Sequence, residues 1–133
     1  MMVPVDQTIF EKGRGNCFAA CLASILECEI TDVQNFPDGV AYDWRRIINE
    51  WLAPLKLHYI DMLLNGDGRD ELSAFWGYHI ISGISPRDNK INHAVVGFNG
   101  EIVFDPHPSR DGLIGDEEDF SYGFLISTHC KEK

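Results

Sequence analysis

The segment from Phe18 to Glu27, Phe-Ala-Ala-Cys-Leu-Ala-Ser-Ile-Leu-Glu, constrains this chain more than any other stretch. Its alanines and leucines favour helix, and it has almost no polar face. A helix that is apolar nearly all round has to be buried, so other elements must cover it on several sides. Asn16 stands where an N-cap belongs, and Gly13-Arg14-Gly15 before it reads as a loop. Cys17 therefore falls at the start of a buried helix.

The rest of the first half is also helical in pattern. Thr31-Asp32-Val33-Gln34 reads as a short capped turn of helix that ends before Pro37. Asp43 can cap a second helix, Trp44 to Ala53, whose apolar stripe is Trp44, Ile47, Ile48, Trp51 and Leu52. After that the period changes. Leu57 to Leu63 and Tyr78 to Ile84 are strand-like, with Gly66-Asp67-Gly68 as a loop between them. Ala94 to Phe98 and Ile102 to Asp105 flank Asn99-Gly100, a hairpin signal. Asp105 to Asp119 is a long polar loop, and Phe120 to Ser127 is the last strand. The pattern is α+β, with N-terminal helices packed on a C-terminal antiparallel sheet. At 133 residues the chain suits one domain, 1–133, and eight Phe, four Tyr and three Trp supply its core.

A net charge of −10 argues against nucleic acid and against an anionic membrane, since both need clustered Lys and Arg. It favours a basic substrate or partner by long-range attraction. The N-terminus has no basic region followed by an apolar run, so no signal peptide is expected, and no apolar stretch is long enough to span a membrane. Cys17, Cys21 and Cys28 crowd one segment and Cys130 lies far from them. Free thiols in a reducing cytoplasm fit that spacing better than disulfides. Zinc is the rival use of the thiols, with His79, His93, His107 and Cys130 as further ligands. No C-x-x-C pair is present, and the expectation is no metal.

A thiol at a helix N-terminus is stabilised as thiolate by unpaired N–H groups and the macrodipole. As a nucleophile it needs a base, and the base needs an orienting acceptor. His93, before Ala94-Val95-Val96, is the candidate base, and Asp105, twelve residues on, is the candidate orienter. Hairpin register tests the pairing. A two-residue turn at Asn99-Gly100 puts the two on opposite faces of the sheet. A three-residue loop, Phe98-Asn99-Gly100, with Gly100 left-handed at a bulge, sets Gly97 opposite Glu101, Val95 opposite Val103 and His93 opposite Asp105. It also gathers Ala94, Val96, Phe98, Ile102 and Phe104 on one apolar face. The three-residue loop is the expectation. Gln7 is a candidate oxyanion donor beside the Cys17 N–H. The Asp105-Pro106-His107-Pro108-Ser109 loop is expected to border the cleft.

Gly15-Asn16-Cys17-Phe18-Ala19-Ala20-Cys21 resembles the Cys-bearing helix start of the papain-like cysteine peptidase superfamily. The second Cys, four residues on, is similar to that of double-glycine leader peptidases. His93-Ala94-Val95-Val96 and Phe104-Asp105-Pro106 resemble those enzymes' His and Asp blocks. The helix start, a tryptophan-bearing helix, the His-Ala-Val-Val strand and an Asp-Pro-His-Pro-Ser segment together resemble a group of small bacterial and phage papain-like proteins. The resemblance implies a papain-like fold, with Cys17 as nucleophile, His93 as base, Asp105 as orienter and Gln7 as oxyanion donor. It implies no cofactor, and a peptide or protein substrate cleaved at an amide or isopeptide bond through an acyl-enzyme. Transfer of the acyl group to an amine, or an inactive binding module on the same fold, are the alternatives. The oligomeric state stays open.

Overall fold

The computed structural model describes residues 2–10, 15–33 and 44–129. The expected cap at Asp43, the stop at Pro37, the loop residues Gly13 and Arg14, and Cys130 lie outside the described residues. Three α-helices, α1 (Cys17–Leu26), α2 (Trp44–Leu52) and α3 (Gly66–Leu72), accompany five strands. The strands are β1 (Leu57–Leu63), β2 (Tyr78–Ile84), β3 (Asn92–Phe98), β4 (Glu101–Phe104) and β5 (Ser121–Ser127). They form one antiparallel sheet in the order β1-β5-β2-β3-β4. The fold class is α+β, as the pattern of elements predicts. Among the described residues no helix is long and apolar enough to cross a membrane.

Helix α1 is the centre of the main core. Ala19, Ala20, Cys21, Leu22 and Ala23 are essentially inaccessible to solvent. Ala19, Cys21, Leu22 and Ala23 pack with Ile48 and Leu52 of α2, Tyr59 of β1, Ile80 of β2, and Ala94 and Val96 of β3. The α2 stripe is used as its spacing demands, with Trp44 and Trp51 flanking the same cluster. The opposite face of the sheet carries a smaller core of Leu72, Ile81, Val95, Phe120 and Tyr122. One sheet face thus serves two helices, and the other is covered by α3 and the long loop before β5.

Two expectations need correction. Gly66-Asp67-Gly68 is not a loop but the first turn of α3. Asn65 caps it by accepting the Gly68 N–H at 3.3 Å, and Leu72 buries its one large apolar side chain. Two glycines in one turn hid the helix, because burial of Leu72 and a side-chain cap outweigh their propensity cost.

The β3–β4 hairpin is the second correction. Phe98 opposes Glu101, so the turn has two residues, with Asn99 at φ 56° and Gly100 at φ 83°, the type I′ geometry. Gly97 then opposes Ile102, yet Val96 opposes Phe104. Val103 is therefore an extra residue, a β-bulge, and parity changes there. Ile102 falls on the face of Gly97, away from Ala94 and Val96, while Phe104 joins Val96 in the main core. The turn takes the shape that Asn-Gly prefers, and the bulge supplies the change of parity that the three-residue loop was expected to give.

Gly123 of β5 pairs with Ile80 and Asp61 and lies under the buried Tyr59 ring. A Cβ there would collide with the Tyr59 hydroxyl. Gly123→Ala is expected to cost about 1–3 kcal/mol through overpacking, read as a lower urea midpoint at unchanged slope. An unchanged midpoint would show that Tyr59 can move aside freely.

Candidate active site

Cys17 is the first residue of α1 and is half-buried. Asn16 occupies the N-cap position with φ −114° and ψ 33°, but its side chain makes no capping bond. The amide is used elsewhere. Its Oδ1 accepts the N–H groups of Thr8 and Ile9, both at 2.9 Å, and its Nδ2 donates to the Thr8 hydroxyl at 2.9 Å. The Asn16 N–H donates to the Ile9 carbonyl at 3.3 Å. The extended N-terminal segment pairs with no strand of the sheet, so its N–H groups need other partners, and one amide meets two of them.

His93 is the second residue of β3, paired with Gly83 of β2, and is 4% exposed. Asp105 follows the last residue of β4 and is equally buried. The His93 Nε2 lies 2.7 Å from the Asp105 Oδ1. Cys17 lines the same cleft as this ring and acts on its charge. With Nε2 committed to Asp105, the ring atom left for the thiol is Nδ1. The three groups form one chain: sulfur, imidazole, carboxylate.

Burial alone would hold the His93 ring neutral. The hydrogen bonds to Asp105 and Cys17, with the charges of both, overcome it and push its pKa up to about 9. Asp105 moves the other way. Burial would raise its pKa, but bonds from His93, from the His107 N–H at 2.9 Å and from the Gly112 N–H at 2.7 Å hold it below the usual carboxylate range. Cys21, one turn along α1, shows what burial does without such help. Its thiol is pushed well up by burial, by the charge at Cys17 and by Asp105.

A cleft of about 210 Å³ opens on this chain of groups. Gln7, Gly15 and Cys17 line it together with Ser85, Arg87, Ile91 and His93. Phe10 and His107 also border it, with their rings edge to face at 5.2 Å. The Asp-Pro-His-Pro-Ser loop thus borders the cleft, as expected. Gln7 is 7% exposed, and its Nε2 donates one hydrogen to the Ile9 carbonyl at 3.0 Å. Its own N–H donates to the Pro106 carbonyl at 3.0 Å, next to Asp105. Its Oε1 is buried without a hydrogen-bond partner among the described residues.

All four residues singled out in the sequence, Cys17, His93, Asp105 and Gln7, therefore meet in one place. His79 does not join them. It is buried among Phe75, Tyr122 and Phe124 on the sheet, and burial lowers its pKa. Among the described residues no group of three or more His, Cys, Asp or Glu is arranged to hold a metal ion. Two contributors were not legible beforehand. Asn16 reads as a cap by its position, and only the fold reveals the segment it holds instead. Gly112, whose backbone binds Asp105, adopts φ 76°. A glycine in a polar loop is the one hint of that in the sequence.

No family model, no characterised protein and no solved structure matches the chain.

The His93 shift has a signed consequence for stability. The folded pKa lies above the unfolded value near 6.5, so the charged ring stabilises the fold fully below about pH 6.5. That contribution is lost as pH rises through about 9. Asp105 acts at the opposite end, because its depressed pKa gives stability that is lost only as pH falls through the folded value. Between pH 6.5 and 9.5 the melting temperature of the native chain should fall, by the equivalent of about 3 kcal/mol. His93→Gln should remove most of that dependence. Parallel curves for the two proteins would mean that the ring is not held charged by Asp105 and Cys17.

Proposed function

We propose that this chain is a thiol-dependent hydrolase of papain-like type, acting on an amide, peptide or isopeptide bond. The observation that carries the proposal is one imidazole with two partners: His93 is bonded through Nε2 to buried Asp105, and Cys17 lines the same cleft and acts on the ring's charge. In this reading Cys17 at the helix start is the nucleophile. Its sulfur attacks the substrate carbonyl carbon, and the carbonyl electrons move onto oxygen. Charge on that oxygen is met by the Cys17 N–H at the helix start and by the Gln7 amide, which has one hydrogen left after its bond to Ile9. The protonated His93 ring gives its Nδ1 proton to the leaving nitrogen as the carbon–nitrogen bond breaks. A thioester on Cys17 remains. Neutral His93 then takes a proton from water, whose oxygen attacks the thioester; the carbon–sulfur bond breaks, and the acid leaves with the Cys17 thiolate restored beside the protonated ring.

Asp105 keeps the ring in the orientation this requires. Its carboxylate accepts the Nε2 proton and stays charged because two backbone N–H groups also serve it. A peptide or protein chain is the substrate class, and the net charge of −10 favours a basic one by long-range attraction.

Alkylation with iodoacetamide at pH 7 tests the nucleophile. The expected result is selective modification of Cys17, slowed at least tenfold in His93→Ala, with Cys21 protected by its burial. Uniform slow labelling of the accessible thiols would instead favour an inactive binding module. Amide hydrolysis should also decline above about pH 9, where the ring loses the proton that the leaving group needs. Alkylation, which needs only the thiolate, should not decline there. If the two pH profiles fall together, His93 is not the acid.

A further inference from the structure

We infer that Asn16 is a positioning residue for the oxyanion site, an inference that rests on the hydrolase reading of Cys17. The N-terminal segment lies along α1 and is fixed to it at two places. At the far end, Val3 donates to the Ser24 carbonyl at 3.0 Å, and Val5 donates to the Ser24 hydroxyl at 2.9 Å. At the near end, Asn16 takes the N–H groups of Thr8 and Ile9, gives Nδ2 to the Thr8 hydroxyl, and donates its own N–H to Ile9. The segment therefore runs antiparallel to the helix, and Gln7 is the residue that this near clamp delivers beside Cys17.

Three features separate Asn16 from an ordinary packing residue. It is 6% exposed, and its side chain makes three hydrogen bonds, two accepted and one donated. It is adjacent in the chain to Cys17, so the clamp moves with the sulfur. And it holds Ile9, whose carbonyl takes one hydrogen of the Gln7 amide. Asn16 thus fixes both the backbone that carries Gln7 and the acceptor that orients its side chain. The Pro106 carbonyl, on the Gln7 N–H, ties the same residue to the loop that starts at Asp105. A shift of about 1 Å in such a donor can cost about 10²-fold in rate.

Two reagents with one nucleophile separate positioning from folding. p-Nitrophenyl acetate reacts through an oxyanion: the sulfur adds to the carbonyl, p-nitrophenolate leaves, and an acetyl thioester forms that water converts to acetate and free thiol. Iodoacetamide reacts by displacing iodide and forms no oxyanion. In Asn16→Ala the burst of p-nitrophenolate should slow about 10²-fold, while iodoacetamide labelling of Cys17 stays within about threefold of the native rate. Thr8→Val removes only the hydroxyl that Nδ2 reaches. It should slow the burst by a smaller factor, and it decides the matter if Asn16→Ala does not melt cooperatively. Equal loss of both reactions, or loss of neither, overturns the inference. A native protein that gives no burst and no selective labelling overturns the hydrolase reading instead, and the two failures are distinguishable.

Discussion

A buried carboxylate holds this end of the molecule together. Asp105 is almost completely removed from water, which is costly for a charge unless donors replace the solvent. It collects three: the His93 ring, the His107 N–H and the Gly112 N–H. Two of these come from the loop that Asp105 itself begins, so meeting the charge folds the loop. Arg110 of the same loop returns to the Asp105 carbonyl at 2.7 Å and pairs with Asp6 of the N-terminal segment. Pro106 then receives the Gln7 N–H. The Asp6–Arg110 pair is solvent-exposed and weak alone. The bonds within the buried part are the ones that order both segments around the cleft.

The two buried histidines show how far environment decides chemistry for one side chain. His79 and His93 are almost equally inaccessible, and their strands are neighbours in the sheet. His79 donates Nδ1 to the Gly77 carbonyl at 3.2 Å and sits among aromatic rings, so it is kept neutral. His93 faces a carboxylate and a thiol and is kept charged to about pH 9. Desolvation acts the same way on both, and the opposing partner decides the outcome. Ordinary burial would make His93 a poor base, whereas a fixed negative neighbour gives it a proton to hold and release.

Much of this was legible in the sequence because the local signals agreed with one another. The apolar run of α1, the stripe of α2 and the alternating segments of β1, β2 and β5 all lie within a residue or so of the expected limits. Cys17, His93 and Asp105 could be chosen by residue type and order, Gln7 only weakly, and the fold brings the four together. The misses have a common cause, which is that local rules give way where tertiary contacts are stronger. Leu72 forms a helix through two glycines, and Asn16 gives up its cap for an outside segment. Val103 breaks a ladder that the Asn99-Gly100 turn had set. Parity arithmetic correctly asked whether His93 and Asp105 share a face. It could not foresee that a bulge at Val103, rather than one at the turn, supplies the change.

The position of those departures bears on function independently of any motif. An uncapped helix start typically costs about 1 kcal/mol. A bulge gives up regular pairing, and a buried carboxylate and imidazole carry desolvation costs of their own. An unpartnered Gln7 Oε1 adds to them. All of these lie around one cleft, at Asn16, at Val103 just before Asp105, at the His93–Asp105 pair and at Gln7. The core built on α1 pays none of them; among the described residues Arg69 Nε, His79 Nε2 and Asn99 Oδ1 are the unpartnered buried atoms elsewhere. The bulge, the diverted cap and the buried charged pair do gather around the cleft that Cys17 lines, and departures from local rules that gather in one place support the proposed thiol chemistry there.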